Sequence, residues 1–198
     1  MVKKGITIEL ISILWTLIEA GVGIGAGLTA HSLALLVFGF DSVIELVAGV
    51  VLLWRLCLEF NGISLKKIKH AEKAASRVVG AALLLLAVYI SAAAAYHLCN
   101  RSGAEANVPG IILAAFAGIV MPVLAHAKKK IGKSIGSNAL RSDGACSMVC
   151  AYMSWVLIIG VVLTAVTQLW WIDSVISLVF VYFIVKEGLE ALEEAREE

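Results

Sequence analysis

Apolar residues along the chain form six long runs separated by short polar or charged stretches. The runs predict helices near residues 6–28, 33–56, 76–99, 109–127, 138–165 and 169–190. A helix of about twenty residues crosses about 30 Å of hydrocarbon at about 1.5 Å per residue. The pattern therefore predicts an all-α integral membrane protein with six transmembrane helices. Residues 1–198 are expected to form a single six-helix transmembrane domain with no soluble C-terminal domain.

Composition supports a membrane protein and excludes one class of partner. Hydrophobic residues make up 61% of the chain and charged residues 16%, whereas soluble domains are about 45–50% apolar. The net charge of +1 argues against a nucleic-acid partner, which would require a basic face. The expected surroundings are membrane lipids.

The distribution of Lys and Arg predicts an orientation. In a six-crossing topology, every Lys and Arg except Arg101 falls on the side that holds both termini. Basic residues stay on the cytoplasmic side, so both termini are predicted to be cytoplasmic (N-in/C-in) in a multi-pass protein of the cell membrane. The run Lys128, Lys129 and Lys130 is interpreted as a topology anchor, with binding to anionic lipid head groups as the alternative.

Two acidic residues lie inside the second predicted helix. Asp41 and Glu45 stand about 8 and 12 residues into its apolar run, near the bilayer midplane at about 1.5 Å per residue. Two unpaired charges there would cost on the order of 5–7 kcal/mol on insertion scales. Their i, i+4 spacing places both on one helix face, and no basic residue is expected at that depth. The pair predicts a cation site, with a protonated, hydrogen-bonded structural pair as the alternative.

The fifth predicted helix carries a stripe of polar and thiol side chains. Asp143, Cys146, Ser147 and Cys150 stand at i, i+3, i+4 and i+7, on one face about 100° wide. Because the second and fifth helices run in opposite directions, the two cysteines enter to about the same depth as the acidic pair, about 12 and 18 Å. They are predicted to face that pair, although cysteines in apolar helices also serve as small packing residues.

The acidic pair and the two cysteines together make a set of two carboxylate and two thiolate ligands. Such a set suits tetrahedral Zn²⁺, and Fe²⁺, Mn²⁺, Co²⁺ and Cd²⁺ are the other candidates. When all four ligands are ionised they hold four negative charges against two positive ones, so we expect protons to exchange with the metal. The protein is expected to be a transporter rather than an enzyme, with the ion as its cargo and no cofactor.

The first predicted helix carries a second polar stripe. Glu9, Ser12, Thr16 and Glu19 recur on one face, which is interpreted as a hydrated access path or as interhelical hydrogen bonding. Glu19 and Asp143 are second-tier candidates for the metal site.

Two other features are interpreted structurally. Asp173 stands at the start of the sixth helix, where an aspartate usually caps backbone amides. Gly21 with Gly25, and Gly23 with Gly27, have the small-xxx-small spacing that lets helices approach closely in lipid.

Two segments resemble the cation diffusion facilitator family. SLALLVFGFDSVIE, residues 32–45, resembles its second helix, and GSNALRSDGACSMVC, residues 136–150, resembles the start of its fifth. The likeness spans all six helices and implies a homodimeric exporter that exchanges Zn²⁺ or a related cation for protons. It implies Asp41 and Glu45 as the acidic pair of the site.

The resemblance departs from the family pattern at the fifth helix. The family usually has His and Asp four residues apart there, and the matching positions in this chain are Cys146 and Cys150. Glu19 is similar to an acidic position often present in the first helix of related members. The family's cytoplasmic metal-binding domain is absent from the sequence pattern.

Two other function classes remain as alternatives. A metal-binding membrane partner or regulator would bind the ion without moving it. A membrane thiol oxidoreductase would use Cys146 and Cys150, but cysteines four residues apart on a helix resist the short span of a disulfide.

Overall fold

The computed structural model of the chain describes residues 2–61, 65–101, 104 and 108–197. Its helices are α1 Val2–Thr29, α2 Leu33–Phe60, α3 Leu65–Asn100, α4 Val108–Ile135, α5 Asn138–Thr167 and α6 Ile172–Glu197. Within those residues all regular structure is helical, so the predicted all-α fold is confirmed.

One end of the bundle gathers most of the basic side chains. Gly5 at the start of α1 lies against Leu56 of α2, Ile135 of α4 and Leu140 of α5, so these helices meet there. We call this the basic end, and its described residues include Lys3, Lys4, Arg55, Lys129, Lys130 and Lys133.

Several helices extend beyond their apolar runs at the basic end. Helix α3 begins at Leu65 instead of 76, and α4 continues to Ile135 instead of 127. The added residues are rich in Lys in both helices and include three Ala in α3, and both residue types are good helix formers in water. Hydropathy marks the edge of the apolar run, whereas backbone hydrogen bonding continues past it.

Five helices of the described chain, α1 to α5, are long and apolar enough to cross a membrane. Helix α6 is of similar length but carries Asp173 near its start and Lys186 and Glu187 in its second half. It packs closely on α3, because a Cβ on Gly80 would lie 2.9 Å from the carbonyl oxygen of Gly188. The protein is thus a multi-pass membrane protein, and α6 is not among the five apolar spans of the described chain.

Side-chain exposure is the reverse of that in a soluble domain. Large exposed apolar side chains occur on all six helices, among them Leu14, Val47, Leu85, Phe116, Trp155 and Tyr182. The interior holds charged side chains that soluble proteins rarely bury, namely Glu9, Glu19, Asp41, Lys128 and Asp173. An apolar exterior suits lipid, and the buried charges need partners inside the bundle.

Glycines let α1 and α2 approach each other. A Cβ on Gly39 of α2 would lie 2.6 Å from the backbone nitrogen of Ile24, and one on Gly27 would lie 2.7 Å from that of Leu36. A Cβ on Gly21 or Gly25 would meet nothing within 4 Å. The predicted close packing is therefore confirmed for the Gly23 and Gly27 pair, whereas Gly21 and Gly25 meet no other helix of the described chain.

Asp173 caps a helix other than its own. Its carboxylate accepts hydrogen bonds from the Ser32 hydroxyl at 2.5 Å and from the backbone amides of Leu33 at 2.7 Å and Ala34 at 3.4 Å. These amides belong to the first turn of α2, so the predicted cap of α6 is wrong. Asp173 is the second residue of α6, and tertiary packing aims its side chain at the neighbouring helix end.

Candidate metal centre

The acidic pair of α2 meets α5 at Cys150. The Cys150 Sγ lies 3.0 Å from Glu45 Oε2 and 3.5 Å from Asp41 Oδ2, so its single thiol proton has an acceptor oxygen on each acid within reach. Asp41 and Cys150 are each 2% exposed, and Glu45 is half-buried. We call these three residues the thiol–carboxylate cluster. The contact brings together three of the four side chains that the sequence predicts as main ligands.

Local capping sets the depth of the cluster from both ends of the bundle. Ser137 starts α5 by accepting from the backbone amide of Leu140, and Cys150 follows about 20 Å further along the helix. Ser32 starts α2 in the same way, and Glu45 lies about 20 Å beyond it. Because the two helices run in opposite directions, these distances place Cys150 and Glu45 at a common level.

A serine orients the second carboxylate. Ser147, which is fully buried, donates to Glu45 Oε1 at 3.0 Å, so both oxygens of Glu45 receive hydrogen bonds from α5. Cys146 is half-buried on the same helix, one turn before Cys150. Its role as a fourth ligand stays a prediction.

The cluster is hydrogen-bonded rather than arranged as a finished coordination shell. Among the described residues, no group of three or more His, Cys, Asp or Glu side chains is positioned to hold a metal ion as it stands. The sulfur lies within hydrogen-bond distance of both carboxylates, a geometry that suits a protonated thiol. Loss of that proton would leave one sulfur and the carboxylate oxygens as ligand atoms, which is the donor chemistry that Zn²⁺ accepts.

A buried lysine lies next to the cluster. Lys128 of α4 is 1% exposed and its Nζ lies 3.4 Å from the Ser147 hydroxyl, which in turn bonds Glu45. The expectation that no basic residue lies near the acidic pair is therefore wrong. Burial keeps the Lys128 ammonium inside the bundle, whereas its neighbours Lys129 and Lys130 are exposed, and the role of the three lysines as a topology anchor stays a prediction.

Asp143 pairs with this lysine instead of joining the cluster. It forms an ion pair with Lys128, and Glu9 of α1 lies 3.4 Å from the same ammonium. Asp143, a second-tier ligand in the sequence prediction, is thus linked to the cluster indirectly, through Lys128 and Ser147.

The polar stripe of α1 faces the interior. All four residues of the stripe are buried, namely Glu9, Ser12, Thr16 and Glu19. Thr16 bonds within its own helix to the Ser12 carbonyl, and Glu19 accepts from the Trp15 indole at 2.7 Å. Glu19 stays a second-tier candidate, and the access path stays a prediction.

Sequence reasoning missed Glu187 of α6 as well as Lys128. Glu187 is half-buried, interacts electrostatically with Asp41 and Glu45, and its Oε1 is buried without a hydrogen-bond partner among the described residues. In both cases the spacing from buried residues of the same helix could have placed the charged side chain on the buried face. Lys128 continues the buried face of α4, and Glu187 follows Phe180 and Ile184 by seven and three residues on the buried face of α6.

Known proteins resemble nearly the whole chain. Residues 10–198 match the family described as the cation efflux transmembrane domain. Transmembrane protein 163 of Xenopus laevis is 25% identical over 191 residues, which cover 96% of this chain and 66% of that protein. A Synechocystis sp. protein named uncharacterized transporter sll1263 is 28% identical over 177 residues, covering 88% of this chain and 57% of that protein. The chain thus spans less than two thirds of the length of these two relatives.

Proposed function

The chain belongs to the cation efflux family, and from this premise we propose that it carries Zn²⁺ across the membrane through the thiol–carboxylate cluster. Membership in the family supports transport of metal cations in general. One observation carries the finer proposal. The thiol of Cys150 lies within hydrogen-bond distance of both Asp41 and Glu45, two acids from another helix.

The ligand atoms favour zinc over harder cations. Mg²⁺ and Ca²⁺ prefer shells made only of oxygen, whereas Zn²⁺ and Cd²⁺ accept thiolate together with carboxylate. Cys146, one turn from Cys150, would complete a four-ligand set with two sulfurs and two carboxylates. The family's usual histidine is replaced by cysteine in this chain, so we expect a site softer than the usual one.

Proton exchange follows from the charge that the cluster has to hold. A metal ion binds thiolate and carboxylate, so its binding releases the thiol proton that now bonds the two acids. The emptied ligands would take up protons again, because bare negative charges are costly in an apolar interior. We therefore propose that Zn²⁺ leaves the cytoplasm in exchange for protons.

The proposed direction depends on orientation. Basic residues of the described chain gather at one end of the bundle, and such residues remain on the cytoplasmic side. With α6 as a sixth crossing, both termini are cytoplasmic and the basic end is the side from which the ion enters. The resemblance to exporters of the family favours a homodimer in the cell membrane.

Zinc flux into liposomes tests the proposal. The purified chain is reconstituted with a zinc-sensitive dye inside, and Zn²⁺ is added with and without an opposing pH gradient. We expect dye response that the pH gradient accelerates, and its loss in Glu45→Gln. Glu59→Gln is the matched control, since Glu59 lies on the same helix at the basic end and should leave flux unchanged.

Two results would contradict the proposal. Unchanged flux in a folded Glu45→Gln variant would show that the ion does not cross the membrane through the cluster. Tight Zn²⁺ binding with no flux under any gradient would instead favour the alternative of a membrane partner that binds the ion without moving it.

A further inference from the structure

An ammonium group is enclosed in the bundle close to the basic end. Lys128 lies about 10 Å before the last residue of α4 and is 1% exposed, like its partner Glu9. Its stem packs on α5, because a Cβ on Gly144 would lie 3.0 Å from the Lys128 Cβ. The Lys128 side chain is therefore packed inside the bundle and does not reach water.

Two carboxylates from different helices surround the ammonium. Asp143 of α5 pairs with it, and Glu9 of α1 lies 3.4 Å away. Glu9 Oε1 has no hydrogen-bond partner among the described residues. The two carboxylates and the Ser147 hydroxyl offer more acceptor oxygens than the three N–H donors of Lys128 can satisfy, whereas a divalent cation binds several such oxygens at once.

The set lies one step from the thiol–carboxylate cluster. Glu9 packs on Gly49 of α2, where a Cβ would lie 2.8 Å from its Oε1. Gly49 is one turn after Glu45, about 6 Å towards the basic end. Ser147 joins the two groups, since it accepts from Lys128 and donates to Glu45. The carboxylates of Glu9 and Asp143 thus lie nearer the basic end, and those of the thiol–carboxylate cluster lie further inside the bundle.

We propose that Glu9 and Asp143 form a second cation-binding station beside the thiol–carboxylate cluster, which Lys128 fills with its own ammonium until a metal ion displaces it. The displacement rests on the proposed transport, because an ion moving between the basic end and the cluster would pass this point. The station itself does not depend on transport. Its ligands are carboxylate and hydroxyl oxygens, so it would accept a hard cation such as Mn²⁺.

Counting bound Mn²⁺ in nanodiscs tests the station. Free Mn²⁺ is measured by electron paramagnetic resonance against the purified chain, Lys128→Gln, and Lys129→Gln as the matched exposed control. At Mn²⁺ concentrations too low to displace the ammonium of the unaltered chain, we expect Lys128→Gln to bind one more Mn²⁺ per chain than the control. The double variant Lys128→Gln with Asp143→Asn should lose that ion. Equal binding in folded Lys128→Gln and Lys129→Gln would overturn the proposal.

The design separates this proposal from the proposed function. The extra ion should persist when Asp41→Ala is added to Lys128→Gln, whereas loss of zinc transport concerns Asp41 and Glu45. If the extra ion disappears with Asp41→Ala, the station is not a separate site and the proposal fails.

A measurement on the unaltered chain covers the case in which Lys128→Gln does not fold. Lys128 is acylated with an amine-reactive reagent, with and without saturating Mn²⁺, and the peptides are quantified by mass spectrometry. Displacement predicts at least a threefold rise in acylation of Lys128 and no change at Lys129. Equal acylation of Lys128 in both conditions would overturn the proposal.

Discussion

Asp173 and Asp41 are both buried aspartates in apolar helices, and their surroundings differ. Asp173 accepts from the Ser32 hydroxyl and from two backbone amides, so its charge completes the start of α2. Among the described residues, the donor to Asp41 is a thiol at 3.5 Å, and another acid, Glu45, lies one turn away. The first arrangement stabilises a helix end, whereas the second leaves charge that a cation can neutralise.

The largest expected effect separates function from folding at Asp41. Asp41→Asn keeps the shape of the side chain and removes its charge, so zinc flux in liposomes should fall at least a hundredfold, on the order of 3 kcal/mol of lost interaction. Thermal stability should not fall, because burying an amide costs less than burying a charge. Ser42→Ala, at the adjacent buried position, should leave flux intact. Loss of both folding and flux would make Asp41 structural, like Asp173.

Asp173→Asn should have the opposite outcome. The amides of α2 and the Ser32 hydroxyl lose a charged acceptor, which lowers the free energy of unfolding by about 2–3 kcal/mol. Flux per folded molecule should stay unchanged. Chemical denaturation in micelles and liposome flux measure the two quantities. A stable variant without flux would reverse the roles assigned to the two aspartates.

Cys150→Ser should alter ion preference more than total transport. Replacing sulfur with oxygen makes the cluster harder, so the ratio of Zn²⁺ to Mn²⁺ flux should fall about tenfold, which corresponds to about 1.4 kcal/mol. Cys57→Ser, a half-buried cysteine on α2, is the control and should leave the ratio unchanged. An unaltered ratio in Cys150→Ser would exclude sulfur from the ion's path.

The smallest effect is expected for Glu190, an acid that neither caps a helix nor belongs to the thiol–carboxylate cluster. Glu190 pairs with Lys186 on α6 at 3.7 Å, and both side chains are more than half exposed. Exposed pairs of this spacing contribute about 0.3–0.5 kcal/mol, so Glu190→Gln should change unfolding and flux very little. A large change in either would show that burial is not what distinguishes the acids of this chain.

The sequence was sufficient to predict the helices and the meeting of α2 with α5. Apolar run length set the elements, and matching depths on antiparallel helices indicated that Cys150 would face Asp41 and Glu45. The depth of Cys146 along α5 did not predict the direction in which its side chain points. The ligand roles of all four residues remain predictions that metal binding must test.

Tertiary contacts account for what sequence reasoning missed. Lys128 opens a run of three lysines at a predicted helix end, where flanking lysines usually anchor topology, and only its phase with Met121 and Leu124 of the buried face distinguishes it from Lys129. Asp173 has the position of a cap, but its target depends on how α6 packs beside α2. Local patterns identify such residues as polar exceptions, and packing between helices decides their partners.

X-ray absorption at the zinc edge on Zn²⁺-loaded protein tests the central claim most directly, because it counts the sulfur ligands of the bound ion. We expect a zinc–sulfur shell at about 2.3 Å beside oxygen ligands, and the loss of one sulfur from that shell in Cys150→Ser. An all-oxygen shell in the unaltered protein, or a sulfur shell that Cys150→Ser leaves unchanged, would contradict the claim that the thiol–carboxylate cluster binds the metal.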